Sequence, residues 1–132
     1  MISISKEKSK LQLDVIYSFL TNSYWAKGRT MEEVENTIKN SLCFGIYDGE
    51  LQIGFARVAS DYTVFAYLMD VFILPEYRGN GYSKKLLHEI IHAPELATCK
   101  TWLLKTRDAH GLYKHFEFTE LAHPERLMER LL

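Results

Sequence analysis

Apolar side chains change their spacing several times along this chain, and each change marks an element. Ile2 and Ile4 alternate with serines and predict a short opening strand. Leu11, Val15, Ile16, Phe19 and Leu20 recur at helical spacing, so a helix is expected over 11–20. Asn22 to Arg29 breaks that rhythm and reads as a loop holding two aromatic residues, Tyr24 and Trp25. Thr30-Met31-Glu32-Glu33 has the form of a capping box. In it a threonine hydroxyl and a glutamate three residues on satisfy each other's backbone N–H groups. It opens a second helix that runs through Val34 and Ile38 to about Asn40.

From Leu42 the period falls to two. Leu42 to Tyr47 and Leu51 to Ala59 flank the dipeptide Asp48-Gly49, a hairpin signal with a two-residue turn. Thr63 to Leu74 is dense in β-branched and aromatic residues and predicts a long strand stopped by Pro75. A helix is expected from about Asn80 to His92, a short strand over Thr101 to Leu104, and a short helix over Ala109 to Phe116. Phe118 to Leu121 reads as a further strand, and Arg126 to Leu132 as a helix or a final strand. The order β-α-α-β-β-β-α-β-α-β implies an α/β fold with a mixed sheet flanked by helices.

The 132 residues contain no repeat, low-complexity tract or linker, so one domain over 1–132 is expected. Sixteen basic residues balance 17 acidic ones, and neither half of the chain has a basic excess, which argues against a nucleic-acid partner. No apolar run approaches the roughly 18 residues that a membrane helix needs, and the first residues lack a signal-peptide core. Cys43 and Cys99 form neither a disulfide framework nor a metal spacing and read as reduced, small hydrophobes. A cytoplasmic protein without membrane or metal partners is the expectation.

The segment Leu74-Pro75-Glu76-Tyr77-Arg78-Gly79-Asn80-Gly81-Tyr82-Ser83-Lys84-Lys85 carries the most chemical information. A strand ends, two glycines permit a tight turn, and a helix begins, so the first N–H groups of that helix lack partners within it. With the positive end of the helix dipole they form an anion site, and Gly81 lets a phosphate approach closely. Arg78, Lys84 and Lys85 add cations, with no acid between Tyr77 and His88. The same glycines also suit a plain strand-to-helix turn in which they supply only unusual dihedrals. Composition leaves both readings open. Spacing disfavours two familiar phosphate binders. A P-loop needs a Gly-Lys-Ser/Thr end that Gly81-Tyr82-Ser83 lacks, and a dinucleotide fingerprint needs a glycine where Lys84 stands.

Residues 75–83 resemble the acetyl-CoA motif of the GNAT superfamily of N-acetyltransferases, Arg/Gln-x-x-Gly-x-Gly/Ala, with Ser83 in place of the last Gly/Ala. Serine is small and keeps its backbone N–H. Ala109-His110-Gly111-Leu112-Tyr113-Lys114-His115-Phe116-Glu117-Phe118 resembles the family's second signature, Ala-x3-Tyr-x3-Gly-Phe, with Glu117 in place of glycine. The resemblance implies a central mixed sheet of about six or seven strands with about four helices, and a V-shaped gap between the strands at 63–74 and 100–105. It implies acetyl-CoA as co-substrate, without a metal, and a small-molecule or protein amine as acceptor. The pantetheine arm would lie along Val71, Phe72 and Ile73. The pyrophosphate would sit on the N–H groups of Gly79, Asn80, Gly81, Tyr82, Ser83 and Lys84 beside Arg78. Tyr113 takes the place of a general acid for the leaving thiolate, or of a hydroxyl that only holds the sulfur. Thr106 takes the place of a residue that contacts CoA.

Asp70 interrupts an apolar strand, where burial should raise its pKa and suit it to act as a base. The alternative is a hydrogen-bonded carboxylate that orients neighbouring loops. Tyr24, Trp25 and Arg29 lie in the loop that the resemblance implies would line the acceptor site, where exposed aromatics suit either binding or anchoring to the core. Two other functions compete. One is a CoA-binding or interaction module without catalysis. The other is a zinc hydrolase built on His88-Glu89-Ile90-Ile91-His92, a His-Glu-x-x-His sequence whose histidines share a helix face.

Overall fold

Strand follows strand in space as in sequence. In the computed structural model, which describes residues 1–132, β1 (Ile2–Ser5) lies antiparallel to β2 (Leu42–Asp48). β2 in turn pairs with β3 (Leu51–Ser60), and β3 with β4 (Phe65–Ile73), again antiparallel. Only β5 (Thr101–Leu104) runs parallel to its neighbour β4, and it closes a five-stranded sheet in the order β1-β2-β3-β4-β5. A parallel neighbour needs a crossover, which here contains the helix α3 (Tyr82–Ile91).

Helices cover both faces. α1 (Leu13–Thr21) and α2 (Met31–Lys39) bury Ile16, Leu20, Val34 and Ile38 against Cys43, Phe55 and Phe72. α3 buries Leu86, Leu87 and Ile90 on the other face, against Phe44, Ile46, Val58 and Leu68. Neighbouring strand residues such as Cys43 and Phe44 therefore serve opposite cores, as strand alternation requires. The Thr30 capping box forms in full: Thr30 Oγ1 accepts from the Glu33 N–H at 3.1 Å, and the Thr30 N–H donates to Glu33 Oε1 at 2.8 Å. No helix is long and apolar enough to cross a membrane.

Three expectations change. Asp48 pairs with Leu51, so the hairpin turn is Gly49-Glu50, one residue later than the Asp48-Gly49 signal, with Gly49 at φ +61°. The sheet has five strands rather than six or seven, because residues 118–121 form no strand. Their start is used to end α4 (His110–Lys114): the Phe118 N–H donates to the Tyr113 carbonyl at 3.2 Å, and the Glu117 N–H to that of Lys114. Glu117 is left-handed at φ +68°, and the Phe118 ring packs edge-on against Tyr113 at 5.9 Å, which together make a Schellman-type helix end. Beyond a short turn at Pro124–Arg126, residues 127–132 form neither helix nor strand. Their Leu127, Met128, Leu131 and Leu132 are exposed, so no packed face supports a helix or strand there.

Candidate active site

The β4–β5 pairing runs only from Phe65/Thr101 to Leu68/Leu104. Past that point β5 has ended while β4 continues to Ile73, and the two chains part. The parting coincides with a bulge. Phe55 pairs with Phe72 and Arg57 with Met69, so Ala56 alone faces both Asp70 and Val71, and Asp70 is left-handed at φ +54°. A cleft of about 500 Å³ opens there. Met69–Val71 form one wall and residues 105–109 with Tyr113 the other, while Tyr24, Trp25 and Arg29 reach over from the loop between α1 and α2. The expected gap, the α1–α2 loop and the tyrosine thus meet in one place.

Asp70 does not have the raised pKa expected of a buried base. Burial pushes its carboxyl up and is the largest single influence. The hydrogen bonds and charges of Arg57 and Arg29 together outweigh it and hold the group below the usual carboxylate range. Arg57 Nε donates to Asp70 Oδ2 at 2.6 Å, Arg29 Nη1 to the same oxygen at 2.7 Å, and Trp25 Nε1 to Oδ1 at 2.9 Å. With both oxygens engaged and its proton affinity lowered, Asp70 is poorly suited to take a proton from an amine. It matches the alternative reading, a carboxylate that orients a loop. It fastens Trp25 and Arg29, from the α1–α2 loop, to β4.

Arg57 was not foreseen. Its signal lay in the sequence: a lone cation inside the apolar run Ile53 to Ala59, matched by a lone acid inside the next strand. Lys105, Arg107 and Asp108 on the cleft wall were missed too, because a loop without periodicity gives no sign of where it folds. The Arg107 guanidinium lies 3.7 Å above the centre of the Tyr24 ring.

Toward the end of β4 the chain edge becomes a row of peptide groups. The Leu74 N–H donates to the Ile53 carbonyl at 2.7 Å on the β3 side, so alternation turns the peptide groups of Ile73 and Val71 to the gap side. Phe72 is turned the other way and its ring is stacked on Phe19 at 4.0 Å, which removes it from the expected contacts along the gap. Arg78 Nε donates to the Ile73 carbonyl at 3.0 Å and ties the following turn to the strand. In that turn Gly79 (φ +84°) and Gly81 (φ +78°) are both left-handed, and no N–H from Gly79 to Lys84 donates to a backbone acceptor. Six N–H groups without a backbone acceptor stand together at the mouth of a ten-residue helix, the arrangement that the expected anion site requires. Within the protein itself only these dihedrals require glycine, since a Cβ at either position would meet no protein atom within 4 Å.

Residues 39–120, from the end of α2 past the Tyr113 helix, match the family described as the acetyltransferase (GNAT) domain. The chain belongs to the GNAT family. It is 29% identical over 104 residues to a Gibberella zeae protein assigned as an acetyltransferase, covering 64% of this chain and 59% of that one. It is 35% identical over 79 residues to the chloroplastic GCN5-related N-acetyltransferase 2 of Arabidopsis thaliana, covering 56% and 30%. The chain thus spans little more than half the length of the first of these curated relatives and under a third of the second. A crystal structure of a protein placed in the GNAT family, from Xanthomonas campestris pv. campestris, superposes with a TM-score of 0.97 at 43% identity, over 100% of this chain and 94% of that one.

In this GNAT fold Tyr113 stands between two cavities, the cleft and a second hollow of about 440 Å³ beside β5. Burial, with a smaller effect from Tyr24, pushes its hydroxyl up to about 12. Thr106 lines the same two cavities, and its Oγ1 accepts from the Ala109 N–H at 3.0 Å, which leaves the hydroxyl proton free to donate. His88, Glu89 and His92 lie elsewhere, on the exposed face of α3 opposite its buried leucines. His92 Nδ1 bonds the His88 carbonyl at 2.8 Å, and no group of three His, Cys, Asp or Glu side chains is placed to hold a metal ion. The hydrolase alternative therefore lacks a ligand set.

Proposed function

We propose that the protein moves an acetyl group from acetyl-CoA to a primary amine in the cleft between β4 and β5. The parting of these strands at the Asp70 bulge supports this most directly, since it leaves a free strand edge leading from Tyr113 toward the glycine turn. The peptide groups of Val71 and the N–H of Ile73 suit the amides of a pantetheine arm, and the N–H groups of Gly79 to Lys84 suit a pyrophosphate. Bound there, acetyl-CoA supplies a thioester as the acyl donor.

The acceptor nitrogen forms a bond to the thioester carbon while the carbon–sulfur bond breaks. A backbone N–H on the free edge of β4, with Val71 the nearest candidate past the bulge, meets the negative charge that develops on the carbonyl oxygen. The nitrogen must arrive neutral and later lose a proton. With Asp70 engaged by three donors, this proton goes to water.

Tyr113 donates to the departing sulfur. A phenol near 12 opposite a free thiol near 8.5 would leave that transfer uphill by about 5 kcal/mol. A thiolate forming in the same buried space is raised by the same desolvation, which brings the pair together.

Thermal unfolding with acetyl-CoA, CoA and ATP, followed by thiol release with a panel of amines, tests this reading. Stabilisation by both CoA species but not ATP, with amine-dependent thiol release, is expected. Stabilisation without release from any amine would leave a CoA-binding module, and no stabilisation by either species would sink the assignment of the cleft.

A further inference from the structure

The ion cluster behind the cleft is not balanced. Two guanidiniums, Arg57 and Arg29, share one carboxylate, that of Asp70. Arg57 is the inner member, with its side chain 8% exposed and its Nη1 donating to Ser41 Oγ at 3.0 Å. It does not line the cleft. Arg29 does, with 18% of its side chain exposed, and only its Nη1 is used on Asp70. Among these three groups one positive charge is left over, and it is displayed on the Arg29 guanidinium at the cleft wall; Glu33, the other acid that feels Arg29, is exposed and engaged by the Thr30 N–H. The remaining wall charges do not cancel it: Lys105 is paired with Glu129, and Arg107 with Asp108 at 3.9 Å.

A half-buried cation without a counter-ion of its own is costly, and a ligand anion removes that cost. Guanidinium N–H groups present a planar fork that fits a carboxylate through two parallel bonds. The surplus is a single charge, which a carboxylate neutralises one to one, whereas a phosphate brings nearly two. Tyr24 and Trp25, packed edge-on at 5.2 Å beside Arg29, add an apolar roof over the same place.

We propose that the acceptor is an amino acid: its carboxylate docks on Arg29, and this contact selects it over amines that lack the anion. The inference rests on the acetyl-transfer reading above and names the substrate class of that site.

The test compares free amino acids of varied side chain with the amines that differ from them only by loss of the carboxylate, such as phenylalanine with phenethylamine and lysine with cadaverine. The better acceptors are expected among the amino acids, with kcat/KM at least tenfold above their partners and the difference mainly in KM. Arg29→Gln should lower kcat/KM for the amino acid at least tenfold more than for its partner, and Arg29→Lys should restore part of the gap. A role confined to holding Asp70 would lower both members alike.

A second arm needs no turnover. N-acetylphenylalanine and N-acetylphenethylamine are titrated into the CoA-loaded protein, with Trp25 emission read in a Trp102→Phe background. Tighter binding of the carboxylated product that disappears in Arg29→Gln supports the inference, even if no amine is acetylated and the transfer reading has failed. Equal kcat/KM within pairs, or no preference in binding, overturns it while leaving acetyl transfer intact.

Discussion

Arg57 Nε and Asp70 Oδ2 lie 2.6 Å apart between adjacent strands, and the acid of this pair is the residue that bends its strand. The same carboxylate accepts from Trp25 and Arg29, so one side chain joins the shape of β4 to the loop over the cleft. Removing one partner of a buried pair strands the other, at a cost of about 3–5 kcal/mol. Asp70→Asn is expected to destabilise by about 3 kcal/mol in urea unfolding. Stability should also depend on acid. The folded pKa of Asp70 lies below its unfolded value near 3.9, so its contribution is complete above that value and fades as pH falls through the lower one. Urea midpoints between pH 5 and 2 should fall more steeply for the wild type than for Asp70→Asn, and parallel slopes would contradict this.

Tyr113 has a hydroxyl near 12, so it stays protonated through the working range. Tyr113→Phe should fold normally and lose about a hundredfold in kcat, the size typical of one positioned acid. The pH–rate profile of the wild type should show no alkaline loss due to this group below about pH 11. An alkaline limb near pH 9 that vanishes in Tyr113→Phe would contradict the burial argument.

Gly81 starts α3 in a left-handed conformation at φ +78°. Alanine there is strained by roughly 1–2 kcal/mol and favours rotating the turn, which disperses the N–H groups of the cradle. Gly81→Ala should weaken CoA binding at least tenfold by calorimetry while pantetheine, which carries no pyrophosphate, binds as before. Equal losses for both ligands would place the defect elsewhere.

Glu117 occupies a left-handed position, φ +68°, at the end of α4. Glycine meets no Cβ penalty there, so Glu117→Gly should stabilise by about 1 kcal/mol and raise the melting midpoint by a few degrees. Calorimetry would settle the sign.

Most of the framework was legible because periodicity reports burial. The two amphipathic helices at 13–21 and 31–39, the hairpin and the long strand at 65–73 all announced their inward faces. The glycine turn was legible as chemistry, since free N–H groups follow from helix geometry alone. Asp70 was found but its charge state was misjudged. Burial pointed upward, while the opposing cations stand 13 and 41 residues away in sequence and only the folded sheet brings them in. The tail at 118–132 failed for a related reason. Its apolar residues promise an element, but an element needs a surface to lie on, and the Schellman turn at Glu117 directs Phe118 back onto Tyr113 instead.

The sheet order has a consequence for where the molecule opens. β2 to β4 are each antiparallel to the strand before, whereas β5 arrives through a helical crossover and is held by four pairings, Phe65/Thr101 to Leu68/Leu104. The cleft lies on that joint. Amides of β5 should therefore exchange with deuterium ahead of those in β2 and β3, and heating should part this seam before the meander melts. The proposed acyl transfer would then fail several degrees below the loss of the β-sheet signal, making the cleft a local fuse within a sturdier frame.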